Sequence, residues 1–108
     1  MTNSERITTE VTSWPGVTSG HGRRGEFGFY VGRREIGHLH GDRVAHFGFP
    51  KAVAAELKAA GRITDHPIGG PGFGARALHD DADVDEAIAL MRLNYDRVTA
   101  SAIIRSPT

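Results

Sequence analysis

From Val17 to Phe49 the chain cannot stay helical. Glycine-rich clusters interrupt it at short intervals: Gly22-Arg23-Arg24-Gly25, then Gly32-Arg33-Arg34, then Gly41-Asp42. The segments between them have strand length and strand patterning. In Glu26-Phe27-Gly28-Phe29-Tyr30-Val31, the residues Phe27, Phe29 and Val31 share one face, the core face by alternation. Gly28 lies on the other face, where it lets something approach the backbone closely. Residues 17–21, 35–40 and 43–49 supply the remaining strands. Short loops between consecutive strands require antiparallel neighbours, so residues 17–49 predict a four-strand meander. Arginines 23, 24, 33 and 34 then fall at two turns, read as sharing one end of the meander.

The flanking segments are helical. Thr2-x-x-Glu5 is a capping box, Ile7, Val11 and Trp14 follow at helical spacing, and Pro15 stops the helix, which is expected over 3–13. Trp14 is its largest apolar anchor. Pro50 suits the first position of a second helix, with Val53, Leu57 and Ala60 on one face and Gly61 as its stop. Residues 62–68 read as extended. Gly69-Gly70-Pro71-Gly72-Phe73-Gly74 reads as a mobile lid or edge loop beside the hairpin, and residues 75–78 as a short last strand. In the last helix Asp83 is the expected cap, and Val84, Ile88, Met91, Tyr95 and Val98 make one apolar stripe. The tail from about 101 is expected to fray, with Ile103 and Ile104 able to dock. Together these elements predict a single α+β domain over 1–108, with an ordered core of about 4–100. An antiparallel sheet of about five strands carries its helices mainly on one face.

Composition removes several function classes. Thirteen basic residues balance thirteen acidic ones, which disfavours nucleic acid as a partner. The absence of cysteine excludes disulfides, thiolate nucleophiles and cysteine-type zinc sites. No apolar run has the length of a membrane span or a signal peptide, so a cytoplasmic protein without membrane attachment is expected. A homodimer is compatible with everything in the sequence.

The chemistry concentrates in Ile36-Gly37-His38-Leu39-His40-Gly41-Asp42-Arg43-Val44-Ala45-His46. His38 and His40 are two apart on a strand and share a face, together with Ile36. A two-residue turn at Gly41-Asp42 pairs His40 with Arg43 and sends His46 to the opposite face; a three-residue turn brings His46 alongside the other two. The two-residue turn is the expectation. Three readings of the pair stay open. The histidines can bind a metal, with Asp42, His66 or His21 as third ligand. They can act as acid and base in a pocket, with Arg43 attracting an anion. Or they can be partly buried and satisfied by carbonyls, Asp42, Asp65 or water. The candidate catalytic residues are His38 and His40, which are also the metal ligands if there are any. The candidate ligand-binding residues are Arg43, His46, His66 and Phe73. The cofactor is left unknown.

The run Trp14-Pro15-Gly16-Val17, then Arg34 through Arg43, then Phe49-Pro50, Ala60-Gly61-Arg62, His66-Pro67 and Leu93-Asn94-Tyr95 resembles the small bacterial luciferase-family proteins. The resemblance covers about Trp14 to Tyr95 and supplies landmarks rather than a reaction. It also marks two departures. His46 stands where members of that family carry an acid, and Gly70-Pro71-Gly72-Phe73 where they carry Asp-Ser-Gly-Trp. The expected function is a small-molecule-binding protein or enzyme with a histidine-lined site on the hairpin. The alternative is a protein-interaction or nucleic-acid module using the arginine turns.

Overall fold

The Thr2 capping box forms as its spacing requires. The Thr2 hydroxyl accepts the Glu5 N–H at 3.1 Å, and the Glu5 carboxylate accepts the Thr2 N–H at 2.9 Å. Helix α1 (Asn3–Thr12) buries Ile7 and Val11, and Trp14 packs just beyond its end rather than on it. The computed structural model describes the backbone of residues 1–105 and the side chains of residues 1–100.

After α1 come β1 (Val17–His21), β2 (Phe27–Val31), β3 (Arg34–His40) and β4 (Val44–Gly48), an antiparallel meander as expected. Helix α2 (Lys51–Ala59) follows, with Pro50 at its cap position rather than inside it. It ends in a glycine motif: Gly61, at φ +72°, donates to the Lys58 carbonyl, and Arg62 donates to the Leu57 carbonyl. Strands β5 (Thr64–Asp65) and β6 (Phe73–Ala77) complete a sheet of order β1-β2-β3-β4-β6-β5. The sheet has six strands, not five, because two residues of the extended segment 62–68 pair with β6.

Helix α3 (Asp81–Arg105) starts earlier and runs further than its pattern predicts. Asp80 caps it, accepting the Asp83 N–H at 2.9 Å. Asp83 instead reaches back to the His79 N–H and the Arg76 guanidinium, which hold its carboxyl below the usual carboxylate range. The backbone expected to fray near 101 is helical through Arg105. The docking expected of Ile103 and Ile104 lies outside the described side chains. Within the described stripe, Val84, Met91, Tyr95 and Val98 are buried as expected, joined by Ala87 and Leu90.

All three helices pack their buried residues into one cluster with Phe29, Ile36, Leu39, Ala45 and Phe47, so they cover one face of the sheet. Fully burying each large apolar side chain there contributes about 1.5–3 kcal/mol. Asn94 is the polar member of this layer, with no exposed surface. Its amide donates to the carbonyls of Ile36 (3.2 Å) and Gly48 (2.9 Å), and its oxygen accepts from Arg97 (2.9 Å). It thereby ties α3 to two neighbouring strands.

The arginine turns are separated. Arg23 and Arg24 lie between β1 and β2, and Arg33 between β2 and β3, with Arg34 opening β3. Consecutive hairpin turns fall at opposite ends of the strand they share, here the five-residue β2, so the shared-end reading is corrected.

Candidate metal centre

The length of the β3–β4 turn decides what this site is. The structure pairs His38 with His46, Leu39 with Ala45 and His40 with Val44. Gly41, Asp42 and Arg43 therefore all belong to the turn, and the two-residue turn is corrected to three. Two forces select the longer turn. Leu39, Ala45 and Phe47 are all buried among the helices, and the shorter turn would have carried Ala45 and Phe47 to the other face. The turn is also tied down from outside: the Asp42 carboxylate accepts the Ser4 N–H at 2.9 Å, and the Arg43 carbonyl accepts the Leu78 N–H at 2.8 Å. The consequence is that His38, His40 and His46 stand on one face.

A second irregularity adds a carboxylate. The β2–β3 pairing runs Phe29 to Gly37 and then Tyr30 to Glu35, so one residue is extra at Ile36. This bulge flips the alternation of the residues before it. Ile36, expected beside His38, turns into the core and has no exposed surface. Glu35 comes round to the histidine face, where its carboxylate lies 2.9 Å from His38 Nδ1. A carboxylate there is the acceptor, so Nδ1 carries the proton and Nε2 offers its lone pair outward. This is the carboxylate–histidine arrangement that orients and strengthens an imidazole ligand. Sequence reasoning missed Glu35 because regular alternation puts it on the wrong face.

The surroundings leave room for the three rings. Across the sheet one row reads Gly20, Gly28, His38, His46, Ala75, Thr64, so the histidines are flanked by side chains that are small or absent. The Tyr30 side chain lies over Gly28. The rings of His38, His40 and His46 have centroids 4.6–5.2 Å apart, and one ligating nitrogen from each lies within 4.8 Å of the others. Nitrogens on a tetrahedral zinc ion are roughly 3.3 Å apart, given bonds of about 2.0–2.1 Å. Closing of at most about 1.5 Å brings the set to ligating distance.

His66 joins as a neighbour with a different role. Its ring centroid is 4.2 Å from that of His46. Its Nδ1 accepts the N–H groups of Ile68 (3.2 Å) and Gly69 (2.9 Å). The neutral ring therefore carries its proton on Nε2 and is a donor, not a metal ligand. Phe73 stands 6.1 Å from His66 and, with Ile68, Gly69 and Arg24, borders a cleft of about 380 Å³ over the histidines. An adjoining cleft of about 320 Å³ adds His40, Glu26 and Pro67. Residues 69–72 form a loop beside the hairpin as expected, but Phe73 and Gly74, read as part of it, open strand β6 between β4 and β5. Arg43 is exposed in the turn and borders neither cleft. Asp42 is turned toward α1, and His21 packs edge-on against Phe27 away from the cluster. A larger cleft, about 490 Å³, lies against α1 where His21, Phe27 and Leu39 meet it, but it contains no ligating set.

His46 is the chemically unusual member. It is 9% exposed, and its buried Nδ1 has no hydrogen-bond partner. Burial, followed by the neighbouring His66, His40 and His38, pushes its pKa down to about 4, with Glu35 opposing. His66 is lowered for the same reasons. At neutral pH, then, His46 is the neutral imidazole a metal requires, and a weak base for proton transfer. In metal-free protein this has a signed consequence. The unfolded chain takes up a proton near pH 6.5 that the folded His46 refuses until about pH 4. Stability therefore falls as pH drops through that window, by about 3 kcal/mol from this group. Urea unfolding at pH 7 and pH 4.5 measures it, and equal midpoints would contradict it.

No curated protein and no solved structure matches the chain. The residues of this site, from Glu35 through the hairpin to His66 and Phe73, with Asn94 behind the bulge, all fall inside one family match. Residues 33–94, more than half of the chain, match the family model described as the Luciferase domain, and the chain belongs to that family.

Proposed function

We propose that this domain is a metal-dependent small-molecule site, in which His38, His40 and His46 bind a divalent first-row transition ion, zinc foremost. The convergence of three ring nitrogens from two paired strands on one point carries the reading. Glu35 behind His38 and the unpartnered Nδ1 of His46 support it. Imidazole sets suit zinc, copper, iron and nickel, and three protein ligands leave a coordination position free for water or substrate. The cleft under the Gly-rich loop, which His38 and His46 line, would give a ligand access to it. The ion would supply Lewis acidity there, and His66 would supply an N–H donor.

Elemental analysis of protein purified without an affinity tag, together with titration of chelator-treated protein with Co²⁺, tests the proposal. The expected result is one ion per chain and visible d–d absorption of a low-symmetry site. Both disappear in His38→Ala and His40→Ala, while circular dichroism shows the fold retained. Absence of stoichiometric metal, or equal binding by these variants, would overturn it.

A further inference from the structure

We infer that the ligand of this site is a small amphipathic anion, with a carboxylate or phosphoryl head at the ion and a compact apolar body under the Gly-rich loop. The inference rests on the metal reading and concerns what occupies the free position.

Charge is the first argument. Three neutral imidazoles leave the ion's two positive charges uncompensated, and such a centre favours an anionic fourth ligand. The charged groups facing the two clefts are Arg24, Glu26 and Glu35. Glu35 is engaged by His38. Glu26 is folded against its own turn, with one carboxylate oxygen near the Arg24 N–H and against Gly22. Arg24 borders both clefts and, among the described residues, its guanidinium has no carboxylate partner. A planar guanidinium turned into the cleft would suit a second oxygen of the same head group.

The donor pattern is the second. Because Ile68 and Gly69 both donate to His66 Nδ1, the remaining polar atom of that ring is an N–H. An N–H at this place favours an acceptor ligand and disfavours a cationic one.

The apolar rim is the third. Four large hydrophobic side chains among the described residues are exposed: Met1, Ile68, Phe73 and Leu93. Two of them, Ile68 at 81% and Phe73 at 50%, border the same cleft. The wall they form is built. A Cβ on Gly69 would come within 2.7 Å of Phe73 and 3.0 Å of His66, so the loop is folded tightly onto both rings. Apolar surface over a cationic floor describes the two ends of one ligand, and a cleft of about 380 Å³ is in the range of small-molecule sites.

Co²⁺-loaded protein titrated with benzoate, acetate, phenyl phosphate and benzamide, read by the d–d spectrum, tests this. Benzoate or phenyl phosphate should bind about tenfold tighter than acetate through apolar contact, and benzamide should bind about tenfold weaker than benzoate. The order of benzoate and phenyl phosphate tells carboxylate from phosphoryl. Phe73→Ala should weaken benzoate several-fold more than it weakens acetate. Arg24→Gln should weaken all three anions together. If Co²⁺ binds and no anion perturbs its spectrum, or benzamide equals benzoate, this inference fails and the metal reading stands. If Co²⁺ does not bind, both fail.

Discussion

Gly37→Ala will cost the fold about 3 kcal/mol and disturb the three histidines proposed to bind metal. Gly37 sits at φ +155°, inside the bulge of β3, a conformation that residues with a side chain rarely adopt. A Cβ there would lie 2.5 Å from Met91 Sδ, 2.7 Å from its terminal methyl and 3.1 Å from a ring carbon of Phe47. Met91 is flexible in principle, but it has no exposed surface and Phe47 has 1%, so neither has free space to move into. Overpacking of this kind costs about 1–3 kcal/mol, and the backbone strain adds about 1–3 more. That is a large fraction of a total stability of about 5–15 kcal/mol. Straightening the bulge would relieve the strain, but it would return Glu35 to the opposite face and expel Ile36. Straightening removes the carboxylate behind His38, so the affinity of the proposed metal site falls together with stability. Urea midpoints and Co²⁺ titration measure the two effects. Gly61→Ala is the control: its φ is +72°, but a Cβ there meets nothing within 4 Å, so it should cost only about 1 kcal/mol. A Gly37→Ala protein within 1 kcal/mol of the parent would show that the bulge is not held by this contact. Partial recovery in Gly37→Ala/Met91→Val would assign the clash to Met91.

The same bulge shows where reading the chain stopped short. The helices, the meander and the face carrying Phe27, Phe29 and Val31 follow from spacing, because each is a local pattern whose period is repeated several times. The site depends instead on two single-residue irregularities, one at Ile36 and one in the Gly41–Arg43 turn. A one-residue change reverses every side chain beyond it. The turn was recoverable. Leu39 and Phe47 both belong in the core, and two odd-numbered residues can share a face across this hairpin only if the loop has an odd number of residues. The bulge was less so, since its signals are a lone Gly37 and a buried Asn94 on α3 whose amide donates to the Ile36 carbonyl. His66 was legible as a histidine near the Gly-rich loop. Its donor role was not, because it comes from two backbone N–H groups on that loop.

His46→Leu should move stability and metal binding in opposite directions. The parent side chain is 9% exposed, with a buried Nδ1 that no group among the described residues satisfies. Leaving such a group unpaired costs about 1–3 kcal/mol, and leucine of similar length removes the group while keeping apolar contact with Ala75 and the neighbouring rings. The metal-free variant should therefore be more stable than the metal-free parent at pH 7, by about 1 kcal/mol. The difference should widen at pH 4.5, because the variant has no imidazole there for the unfolded chain to protonate preferentially. Metal binding should fall at least about a hundredfold, since two imidazoles remain where three converged. Added Zn²⁺ should then reverse the order of stability, because an ion that binds only the folded parent stabilises it in proportion to the logarithm of its concentration over Kd. Urea unfolding of both proteins, at two pH values and with or without Zn²⁺, gives every comparison needed. A variant less stable than the metal-free parent would identify His46 as a packing residue already satisfied. A variant that is more stable yet binds Zn²⁺ as tightly would place the ligands elsewhere. The predicted crossing is what a side chain kept for its chemistry, at the expense of the fold's stability, should produce.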